Sequence, residues 1–261
     1  MAQRLALANW ANEVFAFFGG LASLLGETFF HIFRGAISYR HTVRQMADVG
    51  VGSLFVALIT VGFSGAVASL YVAIQLVKLG QQSFVGGLVG KSIALEVAPV
   101  ITAVVVAARA GSSMAAELGS MVVTEQVDAL RALATPPVRY LVVPRVLGTL
   151  LMMPLITVLA GSAGLFGGYV AAVTNGVSGN IYWSSVQNVV DVADLVKGLL
   201  KTIPFALIIS LVGCRQGLTT RGGAAGVGRA TTSAVVFAMI GIFVSDFFIS
   251  LVLQDATSLV E

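Results

Sequence analysis

From Val49 to Val77 the chain carries no charged side chain, and Lys78 ends the run. Few folds can accommodate such a stretch. A bilayer core about 30 Å thick is crossed by about 20 mostly apolar residues in a helix, because a helix satisfies its own backbone hydrogen bonds where water is absent. Four more segments of this kind follow: backwards from Arg109 to about Val89, from Val146 to about Val173, from about Val196 to Cys214, and from Ala230 to Leu253. Composition agrees. Of 261 residues, 57% are hydrophobic and 10% charged, whereas soluble domains carry about 25% charge. So little polar surface cannot cover a water-soluble globule, which excludes a soluble enzyme. The net charge of +3 rests on scattered basic residues, too few for a phosphate-tracking, nucleic-acid-binding face. The one cysteine, Cys214, forms no intrachain disulfide and has no company for a metal site.

The expected fold is therefore an all-α integral membrane protein with five transmembrane helices in residues 49–261. Its basic residues orient it. With the N-terminus inside, Arg4, Arg34, Arg40, Arg44, Arg109, Arg131, Arg139, Arg145, Arg215, Arg221 and Arg229 all fall on the cytoplasmic side, as the positive-inside rule requires. Lys78, Lys91, Lys197 and Lys201 fall at the outer face, where Lys91 and Lys201 are placed to snorkel from helix ends. The C-terminus is then external.

Residues 1–48 form a separate region. Asn9, Asn12 and Glu13 interrupt the apolar stretch after Arg4 and no small-residue cleavage site follows, so it is read as neither signal nor transit peptide. Val14, Phe17, Phe18, Leu21, Leu24, Leu25, Phe29 and Ile32 recur at helical spacing. That pattern predicts an amphipathic helix lying in the cytoplasmic interface. A short sixth span is the alternative, and Glu27 and Gly19-Gly20 speak against it.

One inner loop is long, 109–145. It contains a predicted helix from about Ser112 to Leu133, stopped by Pro136-Pro137, and reads as a docking surface. Ala107, Gly111, Ala115 and Gly119 form a small-residue ridge, and Gly164 pairs with Gly168. Such ridges let helices approach closely, within one chain or between two. The run Gly86 to Ser92 has the look of a phosphate-binding loop, but its spacing is one residue short and Val85 stands where the first glycine belongs.

Two acids lie inside spans, where an ionisable group is costly and usually functional. Glu96 and Asp246 are both placed in the outer part of the membrane, with Lys91 or Lys201 as candidate partners and Pro99 kinking the helix beside Glu96.

Longer motifs carry a resemblance. Glu96-Val-Ala-Pro99, Ala108-Arg-Ala-Gly-Ser-Ser113, Ala116-Glu-Leu-Gly119, Val123-Thr-Glu-Gln-Val-Asp-Ala-Leu130, Arg139-Tyr-Leu-Val-Val-Pro-Arg145 and the block from Thr220 to Thr232 resemble the MlaE (YrbE) family over about residues 40 to 253. These are permease subunits of ABC lipid transporters that work with MCE-domain proteins. The resemblance implies an interfacial helix followed by five spans, a homodimer, two cytoplasmic ATPase subunits and an MCE-domain partner on the outer face. It implies no cofactor on this chain, with ATP and Mg used by the partner ATPase. The helix in 109–145 becomes the coupling helix, with Glu117, Thr124, Glu125, Gln126, Asp128 and Arg131 as its ATPase contacts. The substrate cavity is expected to involve Glu96, Leu95, Pro99, Phe63, Leu70, Tyr71 and Asp246, and the location is a bacterial plasma (inner) membrane. Leu95 and Ala98 stand where the family commonly has a basic residue and a glycine, Tyr71 where it has a glutamine, and Thr135-Pro-Pro-Val departs at the coupling-helix exit. The physics agrees with a lipid, since a greasy pathway with one or two polar contacts suits a charged head and apolar tails. The rival readings are a proton-coupled secondary transporter using Glu96 and Asp246 as its relay, and a structural anchor for an outer-face assembly.

Overall fold

The computed structural model describes the backbone of residues 2–35 and 38–258, and the side chains of 15–35 and 38–253. The described chain is helical throughout, in eight elements: α1 Ala2–Phe33, α2 Tyr39–Lys78, α3 Gln82–Val123, α4 Gln126–Ala132, α5 Val138–Thr174, α6 Gly179–Val189, α7 Val192–Leu218 and α8 Gly223–Ser258. Among the described residues, six helices are long and apolar enough to cross a membrane. Five are the expected spans, each longer than its apolar run. The sixth is Phe15–Phe33, so by length and composition the N-terminal helix qualifies too. Its packing is nonetheless one-sided. Leu21, Leu24 and Leu25 join Leu118, Val127, Leu141 and Cys214 in an apolar cluster, and Arg215 donates to the Ala16 carbonyl at 2.9 Å while lying over the Phe17 ring. These residues belong to the end of the bundle that carries the arginines.

Neighbouring spans follow the alternation of the chain. In α2 the residues Ser53, Ala57, Val61, Gly65, Ser69 and Ala73, four apart, are buried, while Phe55, Phe63 and Tyr71 on the other side are exposed. The small row is the seat of α5. A Cβ on Gly65 would run into the Gly164 carbonyl, and one on Gly148 would meet Gln45 at 3.0 Å. Rising numbers on one helix meet rising numbers on the other, so α2 and α5 are parallel. Backbones this close gain dispersion contact that larger side chains would prevent, which is how helices associate in lipid.

The ridge of Ala107, Gly111, Ala115 and Gly119 serves internal packing. Gly213 lies against the Gly111 carbonyl, Gly217 against Ala115 and Gly119 against Thr220, which seats α7 parallel to α3. The glycines of the Gly86–Ser92 run are helical and buried. They admit α6, whose Tyr182 backbone and Val189 side chain press on Gly86 and Gly87, and Ser185 accepts a hydrogen bond from the Gly87 N–H at 2.8 Å. That segment is a helix contact and cradles no phosphate.

Three stretches widen from α to π: Ile93–Val97 and Ala107–Gly111 within α3, and Val138–Val142 opening α5. The Ala98, Ser112 and Val143 N–H groups each donate to a carbonyl five residues back. Prolines account for two of the three. Pro99 and Pro144 lack an N–H and their rings crowd the carbonyl four residues earlier, so the helix takes in an extra residue. The kink expected at Pro99 is thus a π segment.

Candidate functional site

At the lysine-bearing end of the bundle, opposite the arginines, three spans bring charge together. Gly198 of α7 packs directly on the Ala94 carbonyl of α3, so the next turn of α7 reaches the π segment carrying Glu96. Lys201 is only 2% exposed. Its ammonium donates to Glu96 Oε1 at 2.6 Å and to Ser250 Oγ at 2.7 Å, and Ser250 in turn donates to the same Glu96 oxygen at 3.2 Å. Asp246 Oδ1, one helical turn before Ser250, lies 3.0 Å from the ammonium but has no hydrogen-bond partner. It is held by charge without directed hydrogen-bond geometry. Two carboxylates on one buried ammonium leave the trio one negative charge in excess when all are ionised. Taking these charges out of water costs several kcal/mol each by general experience, offset only while every partner is present.

A cleft of about 410 Å³ opens on this cluster, lined by Lys91, Leu95, Glu96, Asp194, Lys197, Lys201, Ser250 and Leu253. Lys91 pairs with the buried Asp194 at 3.4 Å. Asp194 also accepts the Asp191 N–H at 3.3 Å as half of the capping box that starts α7. With Asp246 behind the wall, three lysines face three carboxylates.

Several expectations change. Lys201 does not snorkel to the surface; it is buried, because two carboxylates and a hydroxyl converge on it. Lys91 serves Asp194, so of the two candidate partners Lys201 is the one that binds Glu96 and Asp246. Leu95 lines the cleft and Pro99 is buried beneath it. Phe63, Leu70 and Tyr71 do not join them. They are exposed on α2, with Phe63 over a shallow groove of Ile59, Thr60, Ser64, Val67 and Ala68. Sequence alone points to Lys201 only as a candidate partner of the two acids and does not single out Lys197, Asp194 or Ser250. Their spacing carries the signal, since Asp194, Lys197 and Lys201 fall three and four apart on one helix face, as do Asp246 and Ser250.

A family model described as Permease MlaE matches residues 42–252. The chain belongs to the MlaE permease family. It is 44% identical over 255 residues to a probable ABC transporter permease protein of Synechocystis, covering 97% of this chain and 95% of that one. A chloroplastic Arabidopsis protein named trigalactosyldiacylglycerol 1 is 36% identical over 248 residues, 94% of this chain and 71% of its own. A probable ABC transporter permease protein of Rickettsia typhi is 38% identical over 209 residues, 80% and 81% of the two chains.

In this MlaE permease the 109–145 loop differs from the single helix expected over Ser112 to Leu133. Ser112–Val123 continues α3, the chain breaks at Thr124 and Glu125, and α4 is a separate piece. Glu125 adopts a left-handed conformation, φ 59°, which turns the chain sharply. Thr124, Glu125, Gln126, Asp128 and Arg131 are exposed around this corner, with Gln126 donating to Thr124 at 3.0 Å and Arg131 to Asp128 at 2.8 Å. Glu117 lies apart from them. Its Oε2 holds the buried Arg145 at 2.8 Å, and Arg145 also donates to the Leu141 carbonyl at 2.7 Å. Glu117 therefore fastens the two ends of the loop to each other.

Proposed function

We propose that this chain is the membrane subunit of an ABC transporter that moves phospholipid or a related lipid, taking its work from a separate ATPase. The observation that carries the reading is the cleft around Glu96, Lys201 and Asp246. It is a small zwitterionic pocket on spans whose outward faces are otherwise apolar, which suits a polar head group with long tails. An apolar groove of about 280 Å³ between α3, α5 and α7, lined by Ala94, Ala98, Gly161 and Leu165 among others, gives tails a place near the head. Family membership and the permease and trigalactosyldiacylglycerol names of the relatives support the same class. In this reading the arginine-bearing end is cytoplasmic, and the exposed corner at Thr124, Glu125, Gln126, Asp128 and Arg131 meets the ATPase, which binds ATP and Mg. A second copy completes the transporter, an MCE-domain protein receives or delivers lipid at the lysine-bearing end, and the home is a bacterial inner membrane. ATP binding would shift the lipid's affinity between two states of the assembly.

The test is purification of the tagged chain from its host in mild detergent, with ATP hydrolysis measured on the product beside a Glu125→Lys variant. The expected result is a co-purifying ATPase whose binding or activity falls in the variant. Recovery of the intact chain alone in several mild detergents refutes the reading and leaves the proton-coupled carrier in front. Lipid transfer to acceptor vesicles, lost in Glu96→Gln, separates a lipid permease from a permease of another substrate.

A further inference from the structure

The π segment at Ala107–Gly111 has no proline after it, unlike the other two. What it achieves is the placement of Arg109. The guanidinium crosses to α2, donates to the Asp48 carbonyl at 3.0 Å and lies over Gly52, where any Cβ would collide with it. Beside it opens a cleft of about 500 Å³, lined by Arg44, Asp48, Gly52, Arg109, Ser113 and Glu117 among others. Its charges do not cancel. Glu117 is neutralised by Arg145 at 2.8 Å, which leaves Arg44 and Arg109 against Asp48. The location is also specific. This is the turn at which α2 passes from polar to apolar, and just beyond it Val51 and Phe55 are 76% and 70% exposed. Two cations on a polar shelf above bare apolar side chains match an amphiphile with an anionic head. A guanidinium pair is the side-chain chemistry best suited to phosphate oxygens.

We propose that this cleft binds the phosphate of a phospholipid from the leaflet at the arginine-bearing end, with the acyl chains lying along Val51 and Phe55. It lies on α3 thirteen residues and roughly 20 Å of helix from Glu96, and it does not depend on the transport reading. The π segment aims Arg109 here as the first one carries Glu96 to its cleft.

Cys214 is buried and is the one cysteine of the chain, so a dye can be placed selectively. Ala47 is exposed and lines the cleft. The full-length Ala47→Cys protein, labelled with bimane in detergent, is titrated with short-chain phosphatidylglycerol, with the matching diacylglycerol and with inorganic phosphate. The expected result is a saturable fluorescence change with phosphatidylglycerol alone. Arg44→Gln and Arg109→Gln, each in the labelled background, should weaken it about tenfold to a hundredfold, with Arg109→Lys in between. Elution as a single symmetric species checks that each variant is folded, and Arg44→Gln leaves the Arg109 contact to Asp48 in place. Equal response to diacylglycerol overturns the phosphate assignment. Inorganic phosphate matching the lipid overturns the lipid assignment. Unchanged affinity in either glutamine variant overturns the two-arginine site.

Discussion

Replacing Lys201 by Met tests the energetic heart of the lysine-bearing end. Methionine has similar length and no charge, so the substitution leaves Glu96 and Asp246 facing a cavity from which their shared ammonium has gone. Removing one partner from a buried ion cluster generally costs about 3–5 kcal/mol; Lys201 is 2% exposed, but Glu96 is half-exposed, so the lower end of about 3 kcal/mol applies. At roughly 2–4 °C per kcal/mol for a chain of this size, the melting temperature in mild detergent should drop by roughly 10 °C at pH 7. The two acids should not be equivalent. Glu96 is 47% exposed and Asp246 17%, so Glu96→Gln should cost about 1 kcal/mol or less and Asp246→Asn about 2 kcal/mol. The decisive arm is the triple variant Lys201→Met, Glu96→Gln, Asp246→Asn. It carries no buried charge in this cluster and should regain most of the stability lost by Lys201→Met alone. The assay is thermal unfolding followed by light scattering and intrinsic fluorescence. A single Lys201→Met variant within about 2 °C of the parent, or a triple variant no better than the single, would refute the reasoning.

Gly65→Val should separate α2 from α5, because the Gly164 carbonyl occupies the space. A loss of about 3 kcal/mol is expected, read as a fall in monodisperse yield and melting temperature, and an unchanged protein would mean the two helices are not seated there. Glu125→Gly should keep the corner and gain about 1 kcal/mol by relieving the left-handed backbone, while Glu125→Val should lose stability. Comparing the two in the ATPase assay separates the shape of the corner from its carboxylate. On α6, Tyr182 is buried and donates to the Leu165 carbonyl at 3.3 Å, and burial pushes its phenol up to about 12 from 10.0. Between those values the folded state keeps a proton that the unfolded state has lost. Its contribution is therefore complete below pH 10 and declines toward pH 12, a slope that Tyr182→Phe should flatten in alkaline unfolding curves.

The five long spans were legible because an uncharged run from Val49 to Val77 has no other stable home, and the ridge through Gly111 and Gly119 announced close packing. The partners of those ridges were not legible. Nothing in Gly164 says that Gly65 lies opposite, since a small residue marks an approach without naming who approaches. The cleft was half legible. Glu96 and Asp246 stood out as acids in apolar runs, but Lys201 near a helix end looks like a residue that reaches water, and only the three-helix arrangement buries it. Phe63 and Tyr71 lie on an exposed face of α2 away from the Glu96 cleft, and an apolar span offers many equivalent faces among which sequence does not choose. The break at Thr124 and Glu125 escaped because both residues are tolerated inside helices, and the turn is made by a left-handed glutamate, not by glycine or proline.

Each π segment holds one residue more than an α-helix needs for the same hydrogen-bonded circuit. Deleting one residue beside Glu96 in Ile93–Val97 would therefore leave the downstream part of α3 close to its present phase, with Arg109, Gly111 and Gly119 near their seats. The damage would fall on the window itself, where the Pro99 ring would again crowd the carbonyl four residues before it and Glu96 would lose its placement toward Lys201. Length in these five-residue windows is a form of information separate from residue identity.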